Sequence, residues 1–126
     1  MSDEAGLRAF ETDALTAYRA VPLAVVLPRS TDEVSRILKF CSENRIKVLA
    51  RGAGTSLSGG ALPAEDSVVV GLSRMNRVLE VNFADRTATV EAGITNLGIS
   101  NAVGPEKFFY APDPSSQLAC TIGGNV

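Results

Sequence analysis

The chain has no histidine. That removes any imidazole general base, any His-dependent catalytic triad and any histidine metal ligand supplied by this chain. Cysteine is scarce: Cys41 and Cys120 lie far apart, without metal-ligand spacing, and read as two reduced thiols. Long apolar runs are missing. The longest, "LAVVL" (Leu23–Leu27) and "VVVGL" (Val68–Leu72), are far too short to span a bilayer, so no transmembrane segment is expected. Basic runs are missing as well, and the net charge is −2, so nothing points to a nucleic-acid partner. The N-terminus "MSDEAGLRAF" lacks the charged-then-apolar pattern of a secretion signal. The expectation is a soluble, cytoplasmic protein. Its 126 residues make one domain, and 45% apolar residues suffice for an ordinary core.

What is present has a clear order. "PLAVVLP" (Pro22–Pro28) is an apolar run fenced by prolines and reads as a short buried strand. In the segment that follows, Ser30 and Glu33 have capping-box spacing, and Asp32 adds an acid to the first turn. Val34, Ile37, Leu38 and Cys41 then share one helical face, and Asn44 is a C-terminal stop. "KVLA" (Lys47–Ala50) reads as a second strand and "SVVVGLS" (Ser67–Ser73) as a third. Strand, helix and strand in this order predict a βαβ unit with parallel strands. Beyond it, "VLEVN" and "TATVE" alternate with period two around "FADR". They predict an antiparallel hairpin with Leu79, Val81, Ala88 and Val90 on a buried face. "TNLGISNAV" reads as a short helix capped by Thr95 and stopped at Gly104-Pro105. The fold class expected is α+β with an α/β start. The βαβ part covers about 18–73 and the antiparallel part about 74–126, in a single domain.

The densest signal is "RGAGTSLSGG", residues 51–60, which holds four of the chain's eleven glycines with two serines, a threonine and an arginine. Glycines let backbone N–H groups converge on phosphate oxygens. Thr55, Ser56 and Ser58 add hydroxyls and Arg51 a charge, at the end of a strand where α/β proteins bind ligands. The familiar phosphate loops do not fit. Gly54 and Gly59 have Walker spacing, but Gly60-Ala61 stand where Lys-Ser/Thr is needed. Gly52 and Gly54 begin a Rossmann fingerprint, but Leu57 occupies its third glycine position. A long solvent-exposed turn accounts poorly for glycines gathered with hydroxyls. A second loop with a glycine pair, Gly123-Gly124, ends the chain, so two small-residue loops could close on one ligand.

Four stretches in order, "VVLPRSTDEVSRIL", "RGAGTSLSGGALP", "YAPDPSS" and "CTIGGNV", resemble the FAD-binding domain of the vanillyl-alcohol-oxidase and p-cresol-methylhydroxylase type. Within it, the chain looks most like the flavin subunit of glycolate oxidase and its D-lactate and D-2-hydroxyacid dehydrogenase relatives. The resemblance implies a chain that binds FAD in an oxidoreductase acting on a small 2-hydroxy acid such as glycolate or D-lactate. It further implies that backbone amides of Arg51, Gly52, Ala53, Gly54, Thr55, Ser56, Leu57, Gly59 and Gly60 cradle the diphosphate. Pro112–Ser116 (with Asp113, Pro114 and Ser115) and Cys120–Asn125 (with Gly123 and Gly124) would line the ribityl chain and ring, and Pro28 would lie near the adenine.

Three departures qualify that resemblance. Some covalent members of the wider family tether the flavin through a histidine in the first loop. Thr55 stands at about that position here, so FAD would be held non-covalently. The catalytic base, substrate-binding arginines and metal-binding histidines of glycolate-type relatives belong to a later cap domain that this sequence does not include, so no catalytic or metal residue is expected in it. The family also continues past "GGNV", so the expected partners are a further C-terminal segment or other oxidase subunits, with a position peripheral to the inner membrane through such subunits as the alternative to a purely cytoplasmic one. The chain by itself is then expected to be inactive, to hold FAD weakly or not at all, and to pair as a homodimer through unpaired strand edges. The alternative is a non-catalytic, self-associating remnant with an empty cleft.

Overall fold

The computed structural model describes residues 2–14, 18–112 and 115–126. The first helix, α1 (Glu4–Arg8), is one not foreseen from the sequence. Asp3 caps it, its carboxylate accepting from the Gly6 amide at 2.8 Å. Three parallel strands follow in the next sixty or so residues: β1 (Ala24–Val26), β2 (Lys47–Arg51) and β3 (Ser67–Gly71). β1 and β2 are not neighbours. β3 inserts between them, pairing Val25 with Val69 on one side and Leu49 with Val69 on the other.

Helix α2 (Thr31–Glu43) makes the crossover from β1 to β2. Its start is the expected capping box: Ser30 Oγ accepts from the Glu33 amide at 3.2 Å, and Glu33 reaches back to the Arg29 amide at 2.7 Å. Such a cap contributes about 1 kcal/mol. Asn44 ends the helix, its side chain donating to the Phe40 carbonyl at 2.8 Å. Of the face Val34, Ile37, Leu38 and Cys41, only Cys41 is buried, and Leu38 is 45% exposed. The core of this unit is Leu7, Val25 and Val69, with Phe10, Val21, Leu27 and Leu49 packed around it. Val25 and Val69 have no exposed surface. Each such valine stabilises the fold by about 1.5–3 kcal/mol.

The second unit is the antiparallel pair β4 (Val78–Asn82) and β5 (Thr87–Val90), joined by the expected loop 83–86. The expected buried face is corrected. The register slips between Val78 and Glu80, so Leu79 has no partner across the ladder and is 56% exposed. Ala88 is exposed too, and Val81 and Val90 are only half-buried. These three line a cavity of about 220 Å³ with Ile99, Val103 and Phe108. Helix α3 (Asn96–Val103) supplies two of those residues. Thr95 caps it by accepting from the Gly98 amide at 3.0 Å, and a 3₁₀ turn over Gly104–Glu106 follows. The chain ends in a single helical turn, α4 (Ile122–Asn125). Among the described residues, no helix is long and apolar enough to cross a membrane.

The strand pair is pinned at its base by an ion pair. Glu91, buried, accepts from the Arg77 guanidinium at 2.7 and 3.2 Å and from the Arg77 amide at 2.9 Å. Hydrogen bonds from the guanidinium, then from the amide, hold the Glu91 carboxyl below the usual glutamate range. A folded pKa lower than the unfolded one gives stability that is present above the unfolded value and lost as the pH falls through the folded one. Glu91→Gln should therefore be less stable than the wild type at neutral pH. The gap should close as the pH drops below about 4. Urea unfolding across that range checks this, and a gap independent of pH would refute it.

Candidate functional site

The register of β2 on β3 places Arg51 beside Gly71 at the carboxyl end of the parallel sheet. The glycine-rich loop leaves from there, and a cleft of about 360 Å³ opens behind it. One wall is Ala50, Gly52, Ala53, Gly54, Thr55, Ser56, Gly60 and Ala61. The other is Ser116, Cys120, Thr121, Gly124 and Asn125. Thus the two small-residue loops, some sixty residues apart in the chain, do face one another. At one point they touch: a Cβ on Gly52 would overlap Thr121 Oγ1. Only a bare α-carbon permits that approach.

The second wall is held by the hairpin unit. Thr121 bridges Thr95, the Ile122 amide donates to the Ile94 carbonyl at 2.9 Å, and the Gly123 amide to the Ala92 carbonyl at 2.9 Å. Behind it, Asn96 is almost fully buried. Its Oδ1 accepts from Asn125 Nδ2 at 2.6 Å, and its Nδ2 donates to the Pro112 carbonyl at 3.4 Å. Asn125 Nδ2 also lies 3.6 Å from Cys120 Sγ. The buried Asn96 amide therefore ties Pro112 to Asn125, and Asn125 in turn reaches Cys120.

The first wall offers donors. Among the described residues, the amides of Ala53, Gly54, Thr55 and Ser56 donate to no protein acceptor. The hydroxyls of Thr55, Ser56, Ser116 and Thr121 border the same space. Among the described residues, no acidic or basic side chain lines it. Backbone amides and hydroxyls without charged neighbours suit an anionic oxygen-rich group such as a diphosphate.

Several expected residues stand elsewhere. The Arg51 side chain does not enter the cleft, which corrects its reading as a phosphate charge. It turns inward, where the guanidinium finds carbonyl acceptors that water or a phosphate would otherwise replace. Its NH1 donates to Thr12 O at 2.7 Å, Ala61 O at 3.1 Å and Phe10 O at 3.4 Å. Burial lowers its pKa from the ordinary value, and buried Asp13 beside it works in the opposite direction. Leu57 is 69% exposed and, like Gly59, does not line the cleft. Gly123, Pro112 and Ser115 also stand outside the lining. Pro28 lines a separate groove between β1 and α2. Asp113 and Pro114 lie outside the described residues. The sequence reading missed Ala50 and Ala61, which no motif marks, and Asn96, a polar residue hidden in an otherwise apolar helix face.

Gly54 and Gly59 make a controlled pair, since both have φ of +76°. Either alanine variant carries the left-handed penalty of about 1–2 kcal/mol. Nothing lies near a Cβ at Gly59, whereas one at Gly54 would overlap the Arg51 guanidinium. Gly54→Ala should therefore cost about 1–3 kcal/mol more than Gly59→Ala. Equal losses in urea unfolding would show that Arg51 yields freely.

Comparisons with known proteins give the family and the fold. The chain is 52% identical over 117 residues to the glycolate oxidase subunit GlcD of Escherichia coli strain K12, covering 93% of this chain and 23% of that protein. It is 45% identical to GlcD of Bacillus subtilis strain 168, over 97% of this chain and 26% of that protein. It is 40% identical to a D-lactate dehydrogenase of Archaeoglobus fulgidus, over 92% of this chain and 26% of that protein. The chain thus spans about a quarter of the length of these relatives. A solved alkyldihydroxyacetonephosphate synthase superposes with a TM-score of 0.88 over 98% of this chain and 25% of that one, at 23% identity, which shows a shared fold. The family model described as "FAD binding domain" matches residues 22–126, and the chain belongs to that family, with FAD as the cofactor.

Proposed function

We propose that residues 51–61 and 115–125 hold the diphosphate and adjoining part of FAD non-covalently. The run of amides from Ala53 to Ser56, without an acceptor among the described residues, carries this reading. The cleft, about 360 Å³, sits at the small end of the usual range of roughly 300–1,000 Å³ for ligand pockets. It suits the diphosphate with its neighbours rather than a whole dinucleotide. The residues fit in kind as well: Gly60 and Gly124 border the space without side chains, and the polar groups along it are neutral hydroxyls and amides. Without histidine, a histidyl tether at Thr55 is not available.

The parent reaction in this reading is oxidation of a small 2-hydroxy acid, such as glycolate or D-lactate. The names of the GlcD and D-lactate dehydrogenase relatives support it. Bound FAD supplies two-electron redox chemistry, and the protein positions it. The residues described here bind and orient. Among the described residues lining the cleft none is a carboxylate, lysine or histidine that could take a proton from substrate, and this reading assigns that step to another part of the protein. We infer accordingly that these residues are the front of an FAD-binding domain, joined in the working enzyme by a cap segment and partner subunits. A cytoplasmic site and a homodimer belong to the same proposal. Exposed Leu79 on β4, and Phe109 and Leu118 beyond it, favour the latter.

Titration of the protein with FAD, followed by flavin fluorescence, tests the diphosphate site. FAD binding should saturate and be displaced by ADP, which shares the diphosphate, and not by riboflavin, which lacks it. Displacement by riboflavin, with ADP inert, would place the ring rather than the diphosphate in the cleft.

A further inference from the structure

A loop with four successive amides lacking an acceptor among the described residues has few bonds of its own to keep its shape. In this protein the loop is held instead by a segment some forty residues earlier in the chain. Residues 10–14 run beneath it. The Ala14 amide donates to the Ser56 carbonyl at 3.1 Å, fixing the middle of the loop. Arg51, at the start of the loop, donates through one terminal nitrogen to the Thr12 and Phe10 carbonyls of this segment. The same nitrogen donates at 3.1 Å to the carbonyl of Ala61, at the other end of the loop. One guanidinium thus joins both ends of an eleven-residue span, residues 51–61, to the N-terminal segment. Its carbon lies 5.3 Å from the centre of the Phe10 ring, and Phe10 is itself packed on the core. Gly54, a cleft residue, leaves the space that the guanidinium fills.

We propose that Arg51 is a positioning residue: it sets the open shape of the cofactor loop from behind, through residues 10–14, and does not touch the diphosphate. The proposal rests on the diphosphate reading of the cleft for its functional meaning. Its physical content, a loop preorganised by a buried cation, stands apart from any ligand. Donors held in place before binding give affinity that a mobile glycine-rich loop would lose to ordering entropy. Lysine is a poor replacement, because its stem is shorter and an ammonium lacks the planar face that lies over the Phe10 ring.

The test uses Arg51→Met and Arg51→Lys in the ligand-free protein and with ADP as probe. Backbone ¹⁵N relaxation should show the amides of 53–58 near the rigid order parameter of about 0.85 in the wild type. They should fall below about 0.6 in Arg51→Met, while those of Val69 and Val70 on β3 stay rigid. ADP affinity should drop at least tenfold in Arg51→Met, with Arg51→Lys between it and the wild type in both measurements. If Arg51→Met does not fold, Arg51→Lys decides the matter by the same loop-specific loss of order. A loop that stays rigid in the variants overturns the proposal. Lost ADP affinity with a rigid loop would do so too, since it makes Arg51 a direct ligand. A wild type that ignores ADP would reject the diphosphate reading, while the order parameters would still decide the role of Arg51.

Discussion

Four successive amides without acceptors among the described residues, Ala53 to Ser56, are the constraint from which the rest of the arrangement follows. Ala53 is exposed and Gly54 to Ser56 are half-buried, so water can meet these donors when no ligand does. A segment that withholds its donors forgoes the bonds that would otherwise define its shape, and its glycines add freedom that folding must remove. Its form has to be imposed from outside. From behind, Arg51 and Ala14 tie it to the N-terminal segment. From across the cleft, Thr121 packs against Gly52. Thr121 is in turn placed by its bridge to Thr95 at the head of α3, and the turn that leads there is closed by Gly93 donating to Met75 O at 2.8 Å. The Arg77–Glu91 pair, exposed on one side and buried on the other, fixes that turn to the strand pair. Both units are therefore needed to build a cleft that neither contains alone.

The parts of this structure that were legible in the sequence are those settled by near neighbours. Ser30 with Glu33, Asn44 and Thr95 each announce a helix end through bonds spanning three or four residues, and each stands where expected. The four-residue hairpin loop and the glycine loop at a strand end are local in the same sense. Strand order is not. Inserting β3 between β1 and β2 depends on which edges meet after the crossover, and hydrophobicity marks all three as buried without ranking them. The hairpin shows another limit. Period-two alternation marks a face, but burial needs a layer to cover it. Helix α3 and Phe108 cover part of this one, and a register slip sends Leu79 to solvent.

Arg51 illustrates why the site was only partly legible. A cation at a strand end, next to glycines and hydroxyls, has the composition of an anion site. Its true acceptors are carbonyls 39 and 41 residues away in an N-terminal segment and one at the far end of its own loop. Backbone carbonyls carry no sequence signature, so no spacing rule could have shown them. Phe10 and Asp13 leave a side-chain trace of the arrangement, an aromatic and an acid near the start of the chain. Asn96 was hidden for a similar reason, since a polar residue in a short helix is ordinarily read as solvent-facing.

Turning Arg51 inward has an electrostatic consequence. The cation lies behind the loop beside Asp13, whose charge opposes its own, and among the described residues the lining carries no formal charge. Attraction between a diphosphate and this wall must then come from oriented N–H and O–H dipoles. Such dipoles act at short range and depend on angle, whereas a point charge attracts from any direction. A site built on charge tolerates a loose loop. One built on dipoles does not, because small rotations of the peptide planes misdirect every donor at once. The neutrality of the cleft and the rigidity imposed on its loop are therefore two sides of one solution, and the arginine that sequence composition assigns to the ligand serves the loop instead.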